Sequence, residues 1–106
     1  MILHELAHSR AGDKGNTVNI SVIAYDDRAF RHICRYLTPE LVLRKFAPLA
    51  SGPARRFELP NLRACNFVID GALDGGVTAS LRQDIHGKGL SSLMLTIELP
   101  EFDTQG

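Results

Sequence analysis

TVNISVIAY, residues 17–25, is the stretch that decides the fold of this 106-residue chain. Apolar side chains fall at every second position and several are β-branched, which is typical of a strand with one buried face. We therefore predict a strand whose two faces differ in character. One face carries Val18, Ile20, Val22 and Ala24, and the other carries Asn19, Ser21, Ile23 and Tyr25.

Two helices are predicted after this strand. Asp26 and Asp27 can cap a helix that starts near Arg28, because a carboxylate accepts the free backbone N–H groups of the first turn. An amphipathic stripe at helical spacing then follows. Thr38 and Pro39 begin a second helix, as its N-cap and its first helical residue. The stripe of the first helix consists of Phe30, Ile33, Cys34 and Leu37.

Residues 61–73 fit two kinds of structure. Asn61 in an N-cap position and apolar residues at helical spacing favour a helix, which the glycines at 75 and 76 would close. The run from Phe67 to Ile69 favours a strand instead, because aromatic and β-branched residues are good strand formers. We favour the helix, and the strand over residues 64–70 stays open as the alternative.

Strands are predicted on both sides of that segment. Residues 55–59 form a short strand that Pro60 stops. Residues 77–99 alternate around a glycine-containing turn at 86–89 and are predicted to form a hairpin. Together these elements predict a single α+β domain over residues 1–106, with a two-layer architecture in which helices pack on one face of a mostly antiparallel sheet.

Composition limits the functions that are open to the chain. Twelve basic residues balance twelve acidic ones, so nucleic-acid binding by bulk electrostatics is not expected. No apolar run approaches the ~18 residues of a membrane span, and the first residues lack the pattern of a secretion signal. We expect a cytoplasmic protein whose balanced charge permits a homo-oligomer, most simply a dimer.

The cysteines and histidines show no metal-ligand pattern. Cys34 and Cys65 belong to no CxxC pair and are expected to be two buried free thiols in a reducing compartment. No third ligand type clusters with any pair of the four histidines, so we expect no metal and no cofactor. His8 alone adjoins the polar segment described next, and it is the one histidine considered as an acid or base.

The densest group of polar residues is SRAGDKGN, residues 9–16. We predict a loop between two strands, in which the glycines at 12 and 15 allow a tight turn and expose backbone N–H groups. Those groups, with two basic side chains, would bind an anion. The alternative is a plain hairpin loop whose polar residues satisfy local amides. The candidate ligand-binding residues here are Ser9, Arg10, Asp13, Lys14, Asn16 and Asn19.

A second polar group follows Pro60. Asn61, Arg63 and Asn66 are candidate ligand-binding residues there, and the alternative is a solvated helix face with a local ion pair.

Three stretches in combination resemble a known family. AHSRAGDKGNTVNISVIAY, FELPNLRACNFVIDGALDGGVTASLR and HGKGLSSLMLTIEL are similar to the C-terminal domain of the acyclic terpene utilisation protein A family. The resemblance implies a small ferredoxin-fold-like domain, which follows a long N-terminal domain in larger members and stands alone here. The family is linked to bacterial degradation of acyclic terpenes such as citronellol and geraniol, within acyl-CoA catabolism. It supplies no catalytic residues to carry over.

Both polar groups border apolar strands and both are distinctive in that resemblance. We therefore expect one composite site, with some atom of residues 10–16 within ~8 Å of Asn61, Arg63 or Asn66, a range that a long side chain or one water can span.

Different classes of function follow from these features. In the first, the chain is a non-catalytic accessory or binding subunit that recognises a larger family protein or a small anionic ligand. In the second, it is a small lyase, hydratase or isomerase on an acyl-CoA or hydroxy acid, with His8 or Asp13 as the base. A third is a dimeric structural protein. A closed pocket at residues 8–19 would favour the enzyme, and an exposed apolar patch would favour the binding subunit.

Overall fold

An antiparallel sheet of four strands is the framework of the computed structural model, which describes residues 1–14, 17–46, 53–70 and 89–102. The strands follow the order β1-β2-β4-β3, and every neighbouring pair is antiparallel. Three helices in the described ranges accompany the sheet, so the predicted α+β class with a mostly antiparallel sheet is confirmed. The elements are β1 (Ala7–Lys14), β2 (Thr17–Ala24), α1 (Asp27–Tyr36), α2 (Pro39–Phe46), β3 (Ala54–Leu59), β4 (Ala64–Asp70) and α3 (Gly89–Leu95).

The alternation predicted for residues 17–25 separates the two faces of β2. Val18, Ile20 and Val22 are almost completely buried, whereas the residues between them are exposed or half-buried. The same alternation continues into β4, because Ile20 pairs with the buried Phe67, whereas its partner on the edge strand β1, Ala11, is exposed. One face of the sheet is therefore the core face.

The hydrophobic core lies between that face and the helices. Ile33 of α1, Val42 of α2 and Met94 of α3 have no exposed surface, and they pack in one cluster with Ile20 and Phe67 of the sheet. Complete burial of such a side chain contributes about 1.5–3 kcal/mol to the free energy of unfolding. All three helices are thus held by the same face of the sheet.

Both helix starts predicted from the sequence are confirmed. The Asp26 carboxylate accepts the backbone N–H of Ala29 at 2.8 Å and caps α1. The Thr38 hydroxyl accepts the backbone N–H of Leu41 at 3.1 Å, directly before Pro39 begins α2. Each cap satisfies a donor that has no partner inside its own helix.

The helix predicted for residues 61–73 is wrong, and the strand alternative is right. β4 occupies Ala64–Asp70, and Asn61 lies in a 3-10 turn, Pro60–Leu62, rather than at an N-cap. Cys65 and Ile69 are four residues apart, a spacing that suits one face of a helix and one face of a strand alike. Pairing with β2 on one side and β3 on the other favours the strand, since it gives hydrogen-bond partners to the backbone groups along both edges of β4.

The loop predicted for residues 9–16 is wrong over most of its length. β1 continues to Lys14, which pairs with Thr17, and the last two residues of the predicted loop, 15 and 16, lie outside the described ranges. β1 is the edge of the sheet as described. Polar residues and a glycine are tolerated on such a strand, because one of its sides has no neighbour to pack against.

The hairpin predicted for residues 77–99 is wrong where the structure describes it. Gly89–Leu95 is α3, with Leu90 and Met94 buried one helical turn apart. Alternation applies only afterwards, where Ile97 and Leu99 are buried on either side of an exposed Glu98. The first strand and most of the turn, residues 77–88, lie outside the described ranges.

The segment that follows α3 packs against α1. The Nε2 atom of His32 donates to the carbonyl oxygen of Pro100 at 2.6 Å, and its ring lies 4.7 Å from that of Phe102. The guanidinium of Arg28 stacks over the same phenyl ring at 4.0 Å. This hydrogen bond and the ring contacts explain why a histidine is buried within the helix layer.

Arg56 of β3 completes the C-terminal end of α1. Its guanidinium donates to the carbonyl oxygens of Cys34 and Leu37, both at 2.9 Å, and to the Glu58 carboxylate at 3.1 Å. The last carbonyls of a helix have no partner inside the helix, and a positive charge is favourable at that end of the helix dipole. One side chain therefore connects an outer strand to the helix layer.

Replacement of Arg56 by alanine is expected to lower the free energy of unfolding by about 1–3 kcal/mol, because helix carbonyls lose charged donors. Arg55→Ala is the matched control on the same strand. The Arg55 side chain is 57% exposed and its ion pair with Asp70 is long, at 3.5 Å, so we expect a change within about 0.5 kcal/mol. Urea denaturation measures both, and equal losses would contradict the assignment to Arg56.

Candidate functional site

No element in the described part of the chain covers the face of the sheet opposite the helices, which we call the open face. Residues that pair across neighbouring strands share a face, so the strand registers define its membership. Its residues are His8, Arg10 and Gly12 of β1; Thr17, Asn19, Ser21 and Ile23 of β2; Ala64, Asn66, Val68 and Asp70 of β4; and Arg55, Phe57 and Leu59 of β3.

A row of hydrogen-bonding groups crosses the middle of the open face. Arg10 pairs with Ser21, Ser21 with Asn66, and Asn66 with Phe57. The Ser21 hydroxyl donates to the side-chain oxygen of Asn66 at 3.1 Å. The row therefore offers a guanidinium, a hydroxyl, an amide and an aromatic ring in a line across four strands.

Large apolar side chains are exposed at the β3 end of that row and next to it. Tyr25 is 57% exposed, Phe57 47% and Leu59 40%, and we call these three the apolar patch. The ring of Tyr25 lies 5.9 Å from that of His8, at the end of the face where Leu59 also lies. Large apolar side chains exposed among polar groups on one face of a sheet suit contact with another molecule.

The charges on the open face are unequal. Arg55 is paired with Asp70, which also accepts the Thr17 hydroxyl at 3.4 Å. Arg10 is exposed and has no ion-pair partner among the residues that the structure describes. The face therefore carries an excess of positive charge, and it suits a ligand or surface that presents carboxylates or phosphates.

The residues predicted for the first polar group divide between the two faces of β1. His8 and Arg10 are on the open face, with Asn19 beside them on β2. Ser9 pairs with Val22 and is on the core side, where its hydroxyl oxygen is buried without a hydrogen-bond partner in the described ranges. The predicted anion site required a loop with converging backbone N–H groups, but residues 9–14 of that segment form part of strand β1.

The two candidate bases do not converge. His8 pairs with Ile23 and Asp13 pairs with Val18, so these two positions of β1 are on opposite faces of the sheet. Lys14 pairs with Thr17 at the end of the strand, and Asn16 lies outside the described ranges.

The expected composite site forms only in part. Asn66 is in the same row as Arg10, two strands away, so their backbones are roughly 10 Å apart with Ser21 between them. Asn61 and Arg63 precede β4, whereas Lys14 is level with its last residue, roughly 20 Å away along the strand. Residues 13 and 14 therefore do not share a site with residues 61 and 63.

Arg63 occupies a special backbone position and makes an ion pair. Its φ of 51° is left-handed, directly after the 3-10 turn, and its carbonyl accepts the N–H of Ala24 at 2.8 Å. Its Nε donates to the Asp27 carboxylate at 2.6 Å. That hydrogen bond and the opposite charge lower the pKa of Asp27 and raise the pKa of Arg63. Arg63 thus connects the start of β4 to the start of α1.

Sequence reasoning missed the apolar patch, although a signal was present. The alternation in residues 17–25 puts Tyr25 on the face opposite Val18, and Phe57 and Leu59 alternate with charged residues in a predicted strand. Large apolar residues on the polar face of a strand are the signal that could have found them.

Other kinds of site find no support in the described ranges. Among the residues that the structure describes, no group of three His, Cys, Asp or Glu lies close enough to hold a metal ion, and no helix is long and apolar enough to cross a membrane. An open cleft of about 300 Å³ lies at the end of α2, away from residues 8–19. It is lined by Leu41, Arg44, Lys45, Thr96, Ile97 and Glu98.

Comparison with known proteins gives one match. A family model described as the AtuA ferredoxin-like domain matches residues 1–100, a range that includes the four strands and three helices of the described residues. No curated protein and no solved structure matches the chain.

The left-handed backbone at Arg63 predicts an unusual order of stability. Arg63→Gly and Arg63→Val both remove the ion pair with Asp27, but only glycine adopts this backbone without strain. We expect the valine variant to melt about 5 °C or more below the glycine variant. Thermal unfolding followed by circular dichroism measures this, and equal midpoints would contradict it.

The ion pair also predicts an acid dependence. Because Arg63 lowers the pKa of Asp27 below its ordinary value of 3.8, the pair stabilises the fold above that pH and loses this contribution as the pH falls through the lowered pKa. Wild type is expected to be more stable than Asp27→Asn at pH 6, and the difference should shrink below about pH 4. A difference that stays constant from pH 6 to pH 2.5 in urea titrations contradicts this.

Proposed function

Because the chain belongs to the AtuA ferredoxin-like domain family, we propose that it is an accessory binding domain, which docks through its open face onto a larger protein of acyclic terpene catabolism. The observation that carries the proposal is an apolar patch beside Arg10, an arginine with no ion-pair partner among the described residues, on the sheet face that no described element covers.

The apolar patch supports docking on energetic grounds. Tyr25, Phe57 and Leu59 each keep 40% or more of their surface in water, although the opposite face of the same sheet is densely packed. Covering such a side chain completely contributes about 1.5–3 kcal/mol. Aromatic residues and arginine are also the side chains that most often dominate the affinity of protein interfaces.

The chemistry of the face indicates the kind of partner. Arg10 needs a carboxylate opposite it, Ser21 and Asn66 need hydrogen-bonding groups, and the apolar patch needs aliphatic or aromatic contacts. We assign as occupant the long N-terminal domain of larger family members, because the sequence resemblance implies that in those members it precedes a domain of this kind. A second copy would bring the same excess of positive charge to the face, which disfavours it as the occupant.

The geometry favours binding over catalysis. His8, Arg10 and Asn19 are exposed on a sheet face rather than enclosed in a pocket, and an enzyme needs a site from which water is excluded. The position of Asp13 on the other face removes the second candidate base from the same substrate.

Calorimetric titration of the chain with a purified N-terminal domain of a larger family protein tests the proposal. Phe57→Ala and Arg10→Glu are expected to raise the dissociation constant about tenfold or more each. The matched control is Arg31→Glu, the same charge reversal at an exposed arginine of α1, which we expect to change the constant less than about twofold.

Two results would overturn the assignment. If the wild-type chain shows no binding at ~100 µM, well above the dissociation constants of ordinary interfaces, the N-terminal domain is not the partner. The second result comes from light scattering of the chain alone. If the wild-type chain is a dimer and Phe57→Ala dissociates it, the open face binds a second copy instead of the proposed partner.

A further inference from the structure

Cys34 of α1 and Cys65 of β4 face each other across the boundary between the helices and the sheet. Their Sγ atoms are 3.8 Å apart, although the residues are 31 apart in sequence and belong to no CxxC pattern. The sequence predicted two unrelated buried thiols. Both are free cysteines, but Cys34 is only half-buried, and the fold makes them neighbours.

We propose that Cys34 and Cys65 are a disulfide-forming dithiol site, oxidised by a low-molecular-weight disulfide such as glutathione disulfide, and that the resulting bond fixes α1 to β4. The sulfur atoms must approach by a further ~1.8 Å to reach the length of an S–S bond. Rotation of the two side chains with a small shift of α1 supplies that movement.

Accessibility assigns a different role to each cysteine. Cys34 is half-buried, so a small reagent can reach its sulfur from solvent. Cys65 has no exposed surface, and it can react only with a sulfur already delivered to its neighbour. Cys34 is therefore the attacking residue and Cys65 the resolving residue.

The reaction balances in two exchange steps. The Cys34 thiol loses its proton and attacks one sulfur of glutathione disulfide, which breaks that S–S bond and releases a glutathione thiolate that takes up the proton. The Cys65 thiol then loses its proton and attacks Cys34 Sγ, which releases the second glutathione as a thiol. Two protein thiols are oxidised to one disulfide, and one glutathione disulfide is reduced to two thiols.

The surroundings of the pair make this exchange slow and dependent on pH. Burial raises the pKa of Cys34, although its hydrogen bond with Cys65 acts in the opposite direction, and burial together with the neighbouring Cys34 raises the pKa of Cys65 to about 12. Among charged groups, Arg56 lowers both pKa values and Glu58 raises them, and both residues are on β3. Since only the thiolate attacks, the rate should rise about tenfold per pH unit between pH 7 and 9.

The bond would close a long loop. The chain between the two cysteines contains α2 and β3, so a cross-link restricts a large part of the unfolded ensemble. A disulfide over a loop of this length stabilises enough to raise the melting temperature of a small domain by about 10 °C or more.

Incubation of the native chain with glutathione disulfide at pH 8.5, followed by intact mass measurement, tests the site. Wild type should lose about 2 Da and melt about 10 °C higher. Cys65→Ser should stop at a mixed disulfide, with a gain of about 305 Da, because no resolving thiol remains. Cys34→Ser should keep its mass, because the remaining thiol is buried.

The same three proteins provide the contradicting outcomes. The proposal is overturned if wild type accumulates the mixed disulfide, if it forms a disulfide between two chains, or if its mass stays unchanged at pH 8.5 over hours. A loss of about 2 Da with an unchanged melting temperature would show that the bond does not fix α1 to β4. None of these readouts depends on the open face, so the docking proposal stands or falls separately.

Discussion

The pairing of β2 with β1 on one side and β4 on the other is the interaction on which the rest of the structure depends. Side chains of a strand alternate between faces, so a slip of one residue would bring Asn19 and Ser21 into the core and Ile20 into water. The same register selects which residues of β1, β3 and β4 belong to the open face. It also turns Cys65 towards α1, so the two proposals rest on one set of backbone hydrogen bonds.

Local signals predicted the elements that local interactions decide. The alternation in residues 17–25 and the caps at Asp26 and Thr38 depend on neighbours within a few residues, and all three predictions are confirmed. Elements decided by distant partners were missed. Residues 9–16 were predicted as a loop because they are polar, and no local pattern shows that most of them pair with β2. Residues 64–70 were predicted as a helix because apolar residues four apart share a face in a helix and in a strand alike. α3 was predicted as a strand because apolar and polar residues alternate from Leu93 to Leu99, but only the residues after α3 follow that alternation in the structure.

The candidate site followed the same division. Arg10 and Asn19 could be named from the sequence because exposed polar residues are visible there, but their relation to Asn66 depends on the strand order. The separation of His8 from Asp13 and the contact between Cys34 and Cys65 are likewise products of register and topology. Docking would use one side of β4 and thiol exchange the other, since consecutive residues of a strand point in opposite directions.

The apolar patch has a consequence for how much of this protein a cell can hold. A chain that exposes Tyr25, Phe57 and Leu59 together adheres to any other uncovered apolar surface, and the risk rises with its free concentration. If a partner covers the face as proposed, synthesis in proportion to that partner keeps the free concentration low. Joining the two on one polypeptide achieves this automatically, whereas two separate chains need matched expression, most simply from a shared transcript.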